Sequence, residues 1–396
     1  MGLELADIFR KYPVECSNSE QARAVAAIRD CRTAELGGHL QECNHCGHIE
    51  NFYNSCRSRH CPKCQSLARA EWVEKRRAEL LPIPYYHIVF TMPHELAAIA
   101  LQNQKQLYEL LFWTSAQALQ EVAANPKYLG AQVGLVSVLH TWGQTLIHHP
   151  HVHCLVPGGG LSTDGAGWID SKSSFFLPAR VLSARYRTLF LDALQRVSVD
   201  SLTLEGKLQR YSISANFLGL LAKMRRKKWV VFIQAPFSEP ESIVQYQARY
   251  ANRTALTNDR LIELEHDQVK LSYKDYSQKS TRKEMKLEVA EFTRRFLQHI
   301  LPRGFARIRY FGALANRNKQ NFLTAGFLDK QVEPAATEPP KTWQQKFLKL
   351  TGREPDLCAK CRLGRVCVTR HLEPLRAIRW RRAQLPLLPS ITRGPP

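Results

Sequence analysis

The chain has 396 residues, and its 56 lysines and arginines against 35 aspartates and glutamates give a formal charge of +21. An apolar fraction of 44% excludes wholesale disorder, and we find neither a membrane-spanning apolar run nor the apolar core of a secretory signal. The excess positive charge indicates a polyanionic partner, with nucleic acid as the first candidate. Without export, the 11 cysteines are expected to be metal ligands, catalytic groups or core thiols rather than disulfides.

Hydrophobic periodicity and turn residues predict the secondary structure. In chain order, the predicted elements are helices over 18–30 and 65–80, a strand over 85–92, a long helix over 94–124, strands over 130–144 and 151–160, helices over 178–199 and 212–226, a strand over 228–237, a helix over 240–253, a hairpin over 261–275 and a helix over 284–300. This mixed order favours an α+β domain with a largely antiparallel sheet. We expect three parts: a helical, cysteine-rich module over 1–80, a main domain over 81–330, and a linker with a small Cys/His knuckle and a basic tail over 331–396.

Six cysteines lie close together near the N-terminus, and four of them have the spacing of a zinc site. Cys43–Cys46 and Cys61–Cys64 are CxxC motifs separated by 14 residues, which predicts one tetrahedral zinc ion with four thiolate ligands. The remaining cysteines and histidines of this region allow two interpretations. They could form a second zinc site, or Cys31 could be a buried core residue and His60 a contact to phosphate. The candidate ligands of that site are Cys31, His39, Cys56 and His60.

Basic side chains among these ligands predict that the module contacts DNA. They are Arg57, Arg59 and Lys63. A further group of candidate ligands lies near the C-terminus, where only one CxxC motif is present and the remaining spacing is irregular, so zinc binding and its absence both remain open. This group consists of Cys358, Cys361, Cys367 and His371. From residue 358 onwards nine lysines and arginines stand against one glutamate, which predicts a basic tail.

Four histidines occur within six residues of the segment LIHHPHVHCLVPGGG. On a strand, His151 and His153 point to the same face because side chains alternate, so their imidazoles can bind one divalent ion. Gln144, on the neighbouring strand-like stretch, offers a carbonyl oxygen as a third ligand. Such an open site would act on a phosphate as a Lewis acid. The alternative is a set of core or surface histidines.

Tyr246 and Tyr250 are spaced by one helical turn, so both hydroxyls lie on the same face of the predicted helix. A tyrosine with a pKa of about 10 is a poor nucleophile, but a metal-polarised phosphate and nearby cations would help it. Arg249 and Arg253 are positioned to supply those cations. The alternative is that both tyrosines are packing residues, which their spacing alone does not exclude.

These motifs together resemble the insertion sequence 91 family of transposases, which are HUH enzymes named for a histidine–hydrophobic–histidine motif. The resemblance covers about residues 15–330 and is carried, in chain order, by CRTAELGGH, CNHCG, YNSCRSRHCPKCQ, TWGQTL, HPHVHCLVPGGG, YQARY and LPRGFARIRYFGALANR. It implies an HUH-endonuclease-like antiparallel sheet flanked by helices, preceded by a zinc-ribbon-like module that recognises DNA.

The resemblance implies that Tyr246 and Tyr250 are nucleophiles and that His151 and His153 bind the catalytic ion, with Gln144 as a third ligand. A tyrosine would attack single-stranded DNA at an element end and leave a 5′-phosphotyrosine and a free 3′-hydroxyl, in a rolling-circle-like route that needs no nucleotide cofactor. Mg²⁺ or Mn²⁺ is the implied catalytic ion, although imidazole ligands also suit zinc, and Zn²⁺ is the implied structural ion. We expect a cytoplasmic, nucleoid-associated bacterial protein without a membrane partner, and its oligomeric state stays open.

Two positions depart from the family pattern. Asn252 lies in RYANR at a position where the family commonly has histidine. The family also tends to have a histidine near the position of Tyr310. If either histidine helps catalysis, this copy is slower or inactive, but the intact tyrosines and HUH histidines favour an active enzyme. The alternatives are a replication-initiator or relaxase nuclease of the same chemistry, and a catalytically silent, zinc-dependent DNA-binding repressor.

Overall fold

A computed structural model describes residues 2–64, 80–165, 167–172, 176–237, 254–278, 280–331 and 342–378. Helices and antiparallel sheets are mixed along this part of the chain, which confirms the predicted α+β class. None of the helices described is long and apolar enough to span a membrane. Outside the described residues lie most of the predicted helix over 65–80, the predicted helix over 240–253, the linker over 333–341 and the chain beyond residue 378.

The elements are numbered in chain order. The helices are α1 (Leu5–Lys11), α2 (Ser19–Asp30), α3 (His94–Gln102), α4 (Gln104–Ala124), α5 (Ala179–Arg196), α6 (Ser214–Arg226), α7 (Val289–Leu297), α8 (Lys319–Asp329) and α9 (Trp343–Thr351). The strands are β1 (Gly38–Cys43), β2 (Ile49–Tyr53), β3 (Tyr85–Thr91), β4 (Ala131–Gln132), β5 (Gly134–Trp142), β6 (His148–Pro157), β7 (Gly159–Ser162), β8 (Trp168–Asp170), β9 (Val231–Phe237), β10 (Leu261–Glu265), β11 (Gln268–Asp275), β12 (Thr281–Glu288), β13 (Ile308–Gly312) and β14 (Val366–Leu372).

A five-stranded sheet forms the centre of the main domain. Its strand order is β13–β5–β6–β3–β9, and every neighbouring pair is antiparallel. Along β6, Val152, Cys154 and Val156 are fully buried in the main hydrophobic core, which this face of the sheet forms with α3 to α6. The alternate residues of β6 face the other side, as the two-residue period of a strand requires. There Leu155 packs with α8 in a smaller cluster.

The N-terminal module is a second sheet, with the strand order β14–β1–β2, beside α1 and α2. β14 comes from the far end of the chain and pairs antiparallel with β1. The helix predicted over 18–30 is confirmed: the side chain of Asn18 accepts a hydrogen bond from the Gln21 N–H (2.9 Å) and caps α2. Both helices pack in a second core with α7 and the sheet β10–β11–β12.

The helix predicted over 94–124 is divided into α3 and α4 at Asn103. The Asn103 amide donates hydrogen bonds to the carbonyl oxygens of Ile99 (3.0 Å) and Thr203 (2.8 Å), and its oxygen accepts from the Thr203 N–H (2.7 Å). These bonds stabilise a non-helical backbone at Asn103. Periodicity could not show this break because its partner lies 100 residues away.

The helix predicted over 284–300 is wrong in its first part. Residues Thr281–Glu288 form β12, which pairs with β11 in continuous register, and the helix is limited to Val289–Leu297. Met285 and Leu287 alternate with charged residues and pack against the second core. This period of two outweighs the helix propensity of the lysines and glutamates between them.

The hairpin predicted over 261–275 is confirmed. Its two turn residues, His266 and Asp267, both have positive φ (46° and 62°), as a type I′ turn requires. The strand predicted over 151–160 is divided in the structure, because β6 ends at Pro157 and a separate strand, β7, begins at Gly159 and pairs with β4 and β8. A Cβ at Gly160 would lie 2.5 Å from the carbonyl oxygen of Gln132, so glycine permits the close approach of β4.

We expect the buried His299 to make the fold sensitive to acid. Its Nδ1 lies 3.1 Å from the Thr141 hydroxyl and its Nε2 lies 3.1 Å from the Leu146 carbonyl oxygen, a pair of bonds that a neutral ring satisfies. Burial lowers the pKa of His299 to about 3. An unfolded histidine has a pKa of about 6.5, so the unfolded state binds more protons between about pH 6.5 and 3, and the free energy of unfolding falls as the pH is lowered through that window.

Thermal unfolding of the wild type and of His299→Gln over this pH range measures the effect. The wild type should lose up to about 1.4 kcal/mol more per pH unit than the variant. Parallel pH profiles for the two proteins would contradict the assignment.

Candidate metal centres

Three imidazoles meet on the face of the central sheet opposite the main core. His151 and His153 lie on β6, as predicted, and His140 lies on β5 in register with His151. One ring nitrogen of each histidine lies within 4.8 Å of the others. The ring centroid of His140 is 4.5 Å from that of His153 and 5.5 Å from that of His151. Three neutral imidazoles this close are a suitable donor set for one divalent transition-metal ion.

Hydrogen bonds orient two of these rings. The Nδ1 of His151 lies 2.7 Å from the backbone carbonyl oxygen of His149, so this nitrogen carries the proton and Nε2 keeps the lone pair that a metal needs. The Nδ1 of His153 lies 2.8 Å from Nε2 of His87 on β3. When His153 donates this bond, its Nε2 is likewise left for a metal. Such partners fix the tautomer and the ring orientation of ligating histidines.

The electrostatic environment also suits ligation. Burial lowers the pKa of His151 to about 4, and the pKa of His87 to about 4 for the same reason. Both rings are therefore neutral at pH 7, which is the form of imidazole that binds metals.

The side chain of the predicted third ligand, Gln144, is hydrogen-bonded to residues outside the histidine cluster. Its amide Nε2 donates to the Tyr276 hydroxyl (3.2 Å), and its Oε1 accepts from the Lys274 N–H (3.4 Å), so the side chain is directed at β11 and the residues after it. His140 is the residue that the structure adds to the two HUH histidines. The sequence signal for His140 and His87 was a lone histidine in an apolar strand, in VSVLHTW and in YYHIVF. That signal does not show which strands are neighbours.

Four cysteines form a compact cluster at the junction of the N-terminal module and the second core. They are Cys31, Cys56, Cys61 and Cys64. The Sγ atom of Cys64 lies 3.5 Å from that of Cys31 and 3.6 Å from that of Cys56. With zinc–sulfur bonds of about 2.3 Å, the sulfurs of a tetrahedral site are about 3.8 Å apart, close to these separations. We call this group the core cysteine cluster.

A second cysteine cluster combines the two ends of the chain. It consists of Cys43, Cys46, Cys358 and Cys361. The prediction that Cys43–Cys46 and Cys61–Cys64 share one ion is therefore corrected, because the two CxxC motifs belong to different clusters. The reason is tertiary: the pairing of β14 with β1 brings the C-terminal motif to Cys43, while Cys31 follows the end of α2 and joins Cys61–Cys64.

Four other predicted ligands lie apart from the ligand clusters found in the described part of the chain. His39 stacks on Phe52 (centroids 5.8 Å apart) and pairs across the sheet with His371 on β14. Cys367 is exposed on the same strand. His60 is half-buried, and burial lowers its pKa to about 3. Spacing along the chain suggested these residues as ligands, whereas the tertiary structure groups other cysteines together.

The basic residues predicted to contact DNA have different environments. The Arg59 guanidinium donates to the carbonyl oxygens of Pro302 (2.8 Å) and Phe305 (2.5 Å), so it joins the N-terminal module to the main domain. Lys63 forms an ion pair with Glu4 (2.7 Å). Arg57 is exposed and lines a cavity together with Arg376 from the C-terminal segment, and is thus the predicted contact best placed for DNA. Outside the described residues lie Tyr246, Arg249, Tyr250 and Arg253.

Comparison with known proteins defines the class. A family model described as "Putative transposase" matches residues 134–321, which include the histidine cluster, and one described as "Transposase zinc-binding domain" matches residues 4–92. The protein is thus a transposase, an enzyme that acts on DNA. Its zinc-binding domain and the cysteine cluster within that domain support a structural Zn²⁺ ion.

Two relatives place the chain within this class. It is 47% identical over 380 residues to "Putative transposase y4qJ" of Sinorhizobium fredii (strain NBRC 101917 / NGR234), with 92% of this chain and 94% of that protein covered. It is 30% identical over 346 residues to "Transposase for insertion sequence element IS801" of Pseudomonas savastanoi pv. phaseolicola, with 86% and 82% covered. The chain belongs to the insertion sequence 91 family of transposases.

Proposed function

We propose that this transposase cuts and rejoins single-stranded DNA at the ends of its element through 5′-phosphotyrosine links, in a rolling-circle-like route. The observation that carries the proposal is the cluster of His140, His151 and His153 on two neighbouring strands. Within the described residues this cluster contains no carboxylate. An imidazole donor set fits Mn²⁺ better than Mg²⁺, which prefers oxygen ligands. When bound, the ion would polarise a DNA phosphate as a Lewis acid.

Neighbouring residues would keep the three imidazoles in a ligating geometry. The His149 carbonyl would accept from Nδ1 of His151, and His87 would accept from Nδ1 of His153, which would leave both Nε2 atoms available to an ion. The indole of Trp142 stacks on His140, with ring centroids 4.5 Å apart, and restricts the third ring. Because the three rings are already held in place, little side-chain conformational entropy would be lost when the ion binds.

The proposed nucleophiles are Tyr246 and Tyr250, on the basis of the motif YQARY. The segment that carries them follows β9, which is hydrogen-bonded to β3 in the central sheet. The described chain resumes at Thr254, which lines a small cavity together with Trp142. Because Trp142 stacks on His140, Thr254 lies on the side of Trp142 that is near the histidine cluster.

The proposed reaction conserves the energy of the phosphodiester bond. The tyrosine oxygen attacks phosphorus and forms the phosphotyrosine bond, the P–O3′ bond breaks, and the 3′-oxygen leaves and takes up the proton that the tyrosine hydroxyl gave up. Attack of a 3′-hydroxyl on the phosphotyrosine reverses these steps and rejoins the strand, so no nucleotide cofactor is consumed. Two tyrosines would allow one strand to remain covalently held while a second is cut.

The test is the formation of a covalent protein–DNA adduct. Single-stranded DNA that carries an element end, incubated with the protein and Mn²⁺, is expected to give an adduct that survives denaturation. The Tyr246→Phe/Tyr250→Phe variant should form none, because no phenolic oxygen is left to attack. Tyr53→Phe, at an exposed position on β2, is the matched control and should react like the wild type.

Each rival reading gives a different result in this assay. A full yield of adduct from the double variant would contradict the assignment of Tyr246 and Tyr250 as nucleophiles. Binding to element ends without any adduct from the wild type would favour the silent repressor. Adducts that form equally well on a replication or transfer origin and not on element ends would favour an initiator or relaxase.

A further inference from the structure

We propose that Cys43, Cys46, Cys358 and Cys361 form a second zinc site, which fastens the C-terminal segment to the N-terminal module. The matched zinc-binding family model ends at residue 92, so half of this donor set lies outside it. The site is therefore distinct from the core cysteine cluster, whose four members all lie within residues 4–92. It also goes beyond the proposed DNA chemistry, which does not require it.

The sulfur positions fit one tetrahedral ion. The Sγ atoms of Cys43 and Cys361 are 3.7 Å apart, and those of Cys46 and Cys358 are 3.9 Å apart. Both separations match the edge of about 3.8 Å expected for a tetrahedron with zinc–sulfur bonds of about 2.3 Å. They are far longer than a disulfide bond of about 2.05 Å, so the cysteines are thiols. Within the described part of the chain this cluster contains four thiols and neither imidazole nor carboxylate, a donor set that favours zinc.

The two CxxC motifs adopt matching turns. A residue with positive φ follows each motif: Gly47 with φ 64° and Arg362 with φ 56°. The His45 N–H points at Cys43 Sγ (3.5 Å), and the Gly364 N–H points at Cys361 Sγ (3.4 Å). Such N–H groups stabilise the negative charge of a thiolate. The positive φ of Arg362 costs free energy for a residue with a side chain, so the surrounding contacts must enforce this turn.

Two hydrogen bonds join the two turns directly. The Asn44 side-chain oxygen accepts from the Arg365 N–H (2.8 Å), and the Asn44 N–H donates to the Arg365 carbonyl oxygen (3.0 Å). A Cβ at position 364 would lie 2.5 Å from Cys43 Sγ, so Gly364 provides the space for that sulfur. The C-terminal motif is therefore shaped to receive the N-terminal one before any metal is considered.

Binding of zinc here would have a specific structural effect. Four thiols give up their protons as the metal–sulfur bonds form, and the free energy of binding becomes folding free energy for the segments joined. Those segments are β1 and β14, which are adjacent strands of one sheet. Arg376, a few residues beyond β14, would then stay at the cavity that it lines together with Arg57 of the N-terminal module.

The count of bound zinc ions tests the shared site. Zinc is measured in a His151→Ala/His153→Ala background, so that only thiolate-bound metal contributes. The parent is expected to hold two ions per chain, and Cys43→Ser/Cys46→Ser and Cys358→Ser/Cys361→Ser are each expected to hold one. The quadruple variant is also expected to hold one, because all four changes remove the same ion.

The sequence-based pairing gives a different count. If the two motifs served separate ions, the quadruple variant would lose one more ion than either double variant, and that result would overturn the proposal. Retention of two ions by Cys358→Ser/Cys361→Ser would overturn it as well. Cys367→Ser is the matched control, because Cys367 is exposed on β14 and lies outside both clusters, and it should keep two ions.

Two further measurements distinguish loss of a zinc ligand from general misfolding of the variants. Cys358→His keeps a ligand atom for zinc and is expected to retain two ions, whereas its cobalt-substituted form should lose part of the thiolate-to-cobalt absorption. Hydrogen exchange in residues 366–372 should become faster in both double variants, with little change in β10 to β12. Unchanged exchange in β14 after either double substitution would contradict a fastening role.

Discussion

His140→Ala is expected to reduce DNA cleavage and adduct formation at least 100-fold, while Gln144→Ala remains close to the wild type. The reason is that His140 brings a ring nitrogen within 4.8 Å of those of His151 and His153, whereas the Gln144 amide is hydrogen-bonded to Tyr276 and Lys274. Loss of a group that only orients a ligand typically costs 10–100-fold in metal affinity or activity, so loss of a ligand itself should cost at least as much.

Cleavage rates on an end-labelled single strand, measured over a series of Mn²⁺ concentrations, check this expectation. DNA affinity measured without the ion should be the same for both variants, because the effect is on the chemistry. High Mn²⁺ concentrations should restore His140→Ala in part, since two ligands remain. A large loss in Gln144→Ala together with normal cleavage in His140→Ala would instead support the ligand set inferred from the sequence.

Cys31→Ser is expected to remove one zinc ion and to unfold the N-terminal module. Cys31 is 1% exposed and packs in the second core with Leu5, Ile28 and Phe292, so its cluster lies where two parts of the chain meet. Structural zinc binding in small peptides is worth about 10–16 kcal/mol near neutral pH, which is comparable to the whole stability of a domain, about 5–15 kcal/mol. Few single substitutions in this protein should have a larger effect on stability.

Zinc content and a thermal melt followed by circular dichroism measure this loss, and hydrogen exchange in α1 and α2 locates it. Cys16→Ser is the matched control, because Cys16 is a half-buried thiol near the same core that belongs to neither cluster. It should keep its zinc and melt within a few degrees of the wild type. A Cys31→Ser protein with a full complement of zinc and an unchanged melting temperature would show that the core cysteine cluster is not a metal site.

The sequence predicted what depends on near neighbours. The alternation of side chains along β6 placed His151 and His153 on one face, and the His266–Asp267 turn set the hairpin, since both patterns act within a few residues. The motifs HPHVHCLVPGGG and YQARY, taken with the cysteine spacings, were sufficient for the family. Local chemistry is readable from the chain because its distances are fixed by the covalent backbone.

The remaining features depend on which distant segments meet. A CxxC motif identifies two ligands but not the other two. Here one of the other two, Cys361, lies 318 residues from Cys43 along the chain. The third histidine follows from the register of β5 on β6, which no pattern in either strand states. Arg59 was expected to contact DNA because it is a cation among metal ligands, yet its guanidinium meets carbonyl oxygens of the main domain.

Those bonds of Arg59 have a consequence for where the DNA is cut. They join the loop that carries Cys56, Cys61 and Cys64 to residues 302–305, close before β13 of the central sheet. If the N-terminal module recognises the element end, the fold then fixes the distance between the recognised DNA and the histidine cluster. The cleaved bond should lie a constant number of nucleotides from the recognised sequence, and Arg59→Ala should spread the cut over neighbouring positions.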